Sequence, residues 1–163
     1  MRLIVIVKKE RFMKYLILFV FFFFSCKSEL DGNLKNSILK ILSENQKIHE
    51  QLVSKADFIP DTKSLLASVK EAKLLSDKNK EVSAQLEKLE SILNSINTQD
   101  KEGIFESLSS FSEILTDILK VNKIQTDYNK FYCPMVAKYW IAKGEEIQNP
   151  YAPEMRECGE LVK

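Results

Sequence analysis

Four sulfur side chains fall between positions 133 and 158 of this chain, as Cys133 with Met135 and then Met155 with Cys158. The arrangement is mirrored: a Cys stands two residues before a Met at one end, and a Met three residues before a Cys at the other. Two thiolates and two thioethers form a soft donor set suited to Cu(I), with zinc as a competitor. The same two cysteines would instead join as a disulfide in an oxidising compartment. Closing that loop of about 25 residues would stabilise a fold by roughly 3.5 kcal/mol on the chain-entropy account. The segment also carries Pro134, Pro150 and Pro153, three of the four prolines, and the only tryptophan, Trp140. Asn149-Pro150 and Ala152-Pro153 impose two turns in quick succession, which return the second cysteine towards the first. The expected metal ligands are therefore Cys133, Met135, Met155 and Cys158, and the alternative is a Cys133–Cys158 disulfide without metal.

Five elements occur here in order: Cys133-Pro134-Met135, Trp140-Ile141, Asn149-Pro150-Tyr151, Met155 and Cys158-Gly159, preceded by Phe105 with Ser109 or Ser112. This layout resembles a small domain of unknown function found in bacterial envelope proteins and as a tail on periplasmic adaptor subunits of copper and other heavy-metal efflux systems. The resemblance implies a helical region followed by a Cys-containing tail, copper as cofactor, and a heavy-metal efflux system as partner. It departs from the family pattern at Ala152-Pro153, where a glycine is usual, and in the short link 136–139 between Met135 and Trp140.

Little else in the chain offers chemistry. No cysteine has a histidine neighbour and no carboxylate pair has an informative spacing, so an enzyme is not expected. Glycine is scarce, with four in 163 residues and no Gly-rich loop near a lysine, which argues against a phosphate-cradling fold. His49, the only histidine, shares a helix flank with charged residues and reads as a solvated surface side chain, with folding against the cysteine segment left open as the alternative.

The segment 1–25 reads as a signal peptide, with 1–12 an upstream extension because Met13-Lys14 already opens a complete leader. Its apolar run, 15–24, is shorter than the roughly 20 residues a membrane-spanning helix needs. Ser25-Cys26 resembles a bacterial lipobox, which makes Cys26 the expected lipidation site and 26–33 a lipidated Cys and tether. The protein is then expected in the cell envelope, lipid-anchored. Several acyl chains would hold it there at about 0.8 kcal/mol per buried methylene. Without the leader's five basic and one acidic residues, 24 − 5 = 19 basic face 23 − 1 = 22 acidic ones. That balance gives no support to nucleic-acid binding.

What must position the sulfur segment is a long helical run within one domain, 34–163. Leu34, Ile38, Ile41, Ile48 and Leu52 keep a 3/4 spacing with Asn45 in one slot, and Pro60 ends that helix near 56. A second helix covers 63–75 with Leu65, Leu66, Val69 and Ala72 inward. Val82, Leu86, Leu89, Leu93 and Ile96 mark a third. Ile104, Leu108, Phe111, Leu115 and Ile118 mark a fourth, capped by Asp100. The fold class expected is all-α, an up-and-down antiparallel bundle of about four helices. An irregular Cys-containing strap from about 124 lies across it, anchored by its aromatics.

Overall fold

The computed structural model describes residues 30–55 and 57–162. Four helices come first: α1 Gly32–Ser54, α2 Lys63–Leu74, α3 Lys80–Ser95 and α4 Lys101–Val121. Each starts where a short polar side chain takes up a free backbone N–H. Asp31 accepts from Asn33 N at 2.9 Å, Asn79 from Val82 N at 3.1 Å and Asp100 from Gly103 N at 3.0 Å. At α2 the acceptor is Asp61, bonded to Lys63 N at 3.0 Å, and the Thr62 side chain makes no cap bond.

The inward seams follow the predicted 3/4 spacing except at Leu66 and Ile96, which are only half-buried, Ile96 lying just past the end of α3. Leu34, Ile38, Ile41, Ile48 and Leu52 of α1 are buried, as are Val82, Leu86, Leu89 and Leu93 of α3 and the five apolar seam residues of α4. Antiparallel order follows from contacts between helix ends. Lys40 meets Glu71 at 2.7 Å, which sets the end of α2 beside the first half of α1. Lys101 meets Asp57 at 3.4 Å, which sets the start of α4 near the end of α1.

The all-α expectation fails beyond residue 127. In place of an irregular strap, β1 Tyr128–Cys133, β2 Lys138–Lys143 and β3 Glu160–Val162 form an antiparallel sheet of order β2-β1-β3. A 3-10 turn, Pro153–Met155, precedes β3. Physical reasons for the sheet lie in both strands. Phe131 and Cys133, two apart, turn to the core, and Trp140 stands opposite Phe131 in the register with ring centroids 5.5 Å apart. Tyr132 and Tyr139 pair on the outer face at 4.5 Å.

β2 packs against both α4 and α1, so the sheet completes the bundle along one side. Its backbone is fixed from either flank: Tyr139 N donates to Ser109 Oγ of α4 at 2.8 Å, and Asn45 of α1 donates to the Ile141 carbonyl at 3.1 Å. The Asn in the apolar seam of α1 is thus a polar rivet to the sheet, and its burial is satisfied.

Candidate functional site

The site is built where the loop after β2 returns to the end of β1. Cys133 ends β1 with its side chain on the buried face. Cys158 follows the 3-10 turn, whose Met155 carbonyl accepts from Cys158 N at 2.9 Å. The two are joined as a disulfide, with Cα atoms 5.6 Å apart. The sulfurs gathered by the sequence are thus gathered in space only in part. Met135 stands on the hairpin turn between β1 and β2, 71% exposed, and Met155 is 37% exposed. With both cysteines bonded to each other, neither is a thiolate donor in this form of the protein. Among the described residues no group of three or more His, Cys, Asp or Glu side chains is arranged to hold a metal ion. Cys26 lies outside the described residues, as does the leader.

Asn149 organises the return loop. Fully buried, it accepts from Tyr151 N at 2.9 Å and donates to the Cys158 carbonyl at 3.1 Å, while its own N–H donates to the Arg156 carbonyl at 2.8 Å. Pro150 then feeds Tyr151 into the core, where its ring tilts against Phe105 at 5.2 Å and meets Trp140 edge-on at 6.5 Å. Burial pushes the Tyr151 phenol well above its ordinary value, opposed only by a hydrogen bond with Ser112, so it stays protonated. Asn149-Pro150-Tyr151 is therefore a folding element: a tight turn that drives one aromatic ring inward.

Two residues without weight in the sequence reading lock this loop to α1. Arg156 forks its guanidinium between the Asn149 carbonyl at 2.7 Å and the Leu52 carbonyl at 2.9 Å, the latter an unpaired group in the last turn of α1. His49, expected on the solvated flank, is 7% exposed instead. It lies 2.9 Å from the Gln148 carbonyl, which can only accept, so Nε2 carries the proton. Burial lowers the imidazole pKa below its ordinary value, and the bond to Gln148 and the charge of Glu50 oppose that shift without reversing it. The surface reading of His49 fails and the open alternative holds, because the loop after β2 folds back over that flank and brings the ring to the cysteine segment. The off-seam position of His49 gave no sign of such a cover. On the opposite side Lys138, buried at the start of β2, reaches Glu102 at 2.5 Å.

The arrangement can hold a backbone loop rigid and exchange a thiol pair for a disulfide. The disulfide, Met135, Arg156 and the last turn of α1 all belong to one pole, and the Leu34 end of α1 to the other. Fifteen helical steps separate Leu34 from His49, about 22 Å along the axis. Comparison with family models, with curated proteins and with solved structures yields no match in any of the three.

Proposed function

We propose that this chain is a lipid-anchored envelope protein of the structural or interaction class, whose Cys133–Cys158 disulfide clasps a rigid cap onto a helical stem. The observation that carries the reading is the bond itself, made between the buried end of β1 and the return loop that Asn149, Arg156 and His49 tie to α1. Disulfides persist in oxidising compartments, which agrees with the export signal and the Ser25-Cys26 anchor expected from the sequence. Kinship with the heavy-metal-efflux-associated domain rests on the five tail elements.

A second reading keeps copper, in the reduced form of the same site. It is favoured by the closeness of the two cysteine backbones, 5.6 Å, and by Met155 lying one 3-10 turn from Cys158. Once the bond is reduced, Cys133, Met135, Met155 and Cys158 supply two thiolates and two thioethers to one Cu(I).

The test is a thiol count and Cu(I) titration on protein taken anaerobically from membranes, before and after reduction. The clasp predicts blocked Cys133 and Cys158 and no Cu(I) uptake until reduction. Free thiols at both positions in the protein as isolated would overturn it. The copper reading predicts one Cu(I) per reduced chain and weaker uptake in Met135→Leu. Uptake no greater than that of a Cys133→Ser/Cys158→Ser double variant ends that reading.

A further inference from the structure

The pole opposite the clasp carries apolar side chains that the core does not use. The buried stripe of α2 is Leu65, Val69 and Ala72, and it leaves out Leu74 and Leu75, at the helix end, which are 79% and 44% exposed. They line a groove together with the half-buried Leu30, the buried Leu34 and a polar rim of Asp31, Asp77, Lys78 and Asn79. Two adjacent leucines displayed at a helix end, over an apolar floor rimmed by two aspartates, a lysine and an asparagine, are unusual for a surface that meets only water.

Chain geometry limits what can lie there. Only residues 27–29 separate Cys26 from Leu30, and four Cα steps span at most about 14 Å. If Cys26 carries the acyl chains, the lipid surface is held within that distance of the groove. A bilayer interface accepts leucines into its outer few ångströms, with lysine ends remaining among the headgroups.

We propose that the Leu74 and Leu75 corner seats in the lipid interface to which Cys26 is anchored. The stem then stands on the membrane and presents Met135, the disulfide and Arg156 at its far end. The inference rests on the anchoring of Cys26 and goes beyond it, because a tether alone would leave the stem free to tumble.

The experiment uses the full acylated chain in vesicles of phosphatidylethanolamine and phosphatidylglycerol, containing lipid brominated near the top of the acyl chain. Leu74→Trp reports on the corner and Met135→Trp on the far pole, with the emission of buried Trp140 subtracted from wild type. Bromolipid should quench Leu74→Trp about twofold more strongly than Met135→Trp, as expected for an interfacial side chain. Equal quenching of the two, or none at position 74 in a chain shown by mass to be acylated, overturns the seating and leaves the anchor intact. A blue-shifted Leu74→Trp emission that bromolipid does not quench assigns the corner to a second copy and overturns the proposal as well. An N-terminal peptide without acyl mass overturns the anchor and the seating together.

Discussion

Gly159 lies so close to the indole of Trp140 that a β-carbon built there would sit 2.5 Å from Cη2 and 3.1 Å from Cζ2, with Ile147 Cγ2 also at 3.1 Å. The glycine after the second cysteine is thus present for space. Trp140 is enclosed by Phe131, Tyr151 and the helices and has nowhere to withdraw. Gly159→Ala should destabilise by about 1–3 kcal/mol, the usual range for overpacking. Denaturant midpoints check this, and an unchanged midpoint would show that the indole yields.

The disulfide closes 25 residues of chain. Cys158→Ser removes the bond at the less buried of its two ends and should lower stability by roughly 3.5 kcal/mol, whereas Met135→Leu should change it by well under 1 kcal/mol. Urea unfolding with and without reductant separates bond from side chain. Wild type and Cys158→Ser should differ under oxidising conditions and nearly coincide when reduced.

Arg156 serves two carbonyls with one planar group. Lysine offers a point charge and cannot span both, so Arg156→Lys should cost about 1–2 kcal/mol. Amide exchange in 147–158 and in the last turn of α1 should rise together. A rise confined to the loop would mean that the Leu52 carbonyl is satisfied by another group.

His49 gives the cap an acid limit. Its folded-state pKa lies below the unfolded value of 6.5, so the unfolded chain binds the extra proton first. Stability is complete above pH 6.5 and declines as pH falls from there towards the folded-state value. The charged groups facing the ring are Glu50, which favours the proton, and Arg156, which opposes it. His49→Gln keeps a donor for the Gln148 carbonyl and should flatten the decline below pH 6.5 relative to wild type. Parallel stability curves for the two proteins would remove His49 as the cause.

The helices were legible because each buries a stripe of one kind. Val82, Leu86, Leu89 and Leu93 repeat at a period only a helix can use, and all four are buried. The sheet was hidden for a specific reason. Alternation in β1 is confined to Phe131 and Cys133, and in β2 a buried lysine, Lys138, sits where an apolar residue would have marked the inner face. Its charge is met by Glu102, 36 residues earlier, and such a partner has no local signature. Cys133 and Cys158 were recognisable as a pair, with disulfide and metal both open. Met135 and Met155 shared their sequence neighbourhood, yet the hairpin turn directs Met135 outward. Asn45, His49 and Arg156 act across 96 to 104 residues, a range at which single-sequence patterns carry no information.

Those same separations govern how the molecule assembles in time. A chain that emerges from its amino end can pair α1 with α2 early, since Lys40 and Glu71 lie 31 residues apart. Asn45, His49 and the Leu52 carbonyl wait until residues 141–156 have followed. Through that interval one flank of α1 is an open, sticky surface, and closing so long a gap is entropically slow. The nascent stem is thus most exposed to aggregation before its cap arrives, and a chain stalled short of residue 141 is the species that most requires a chaperone.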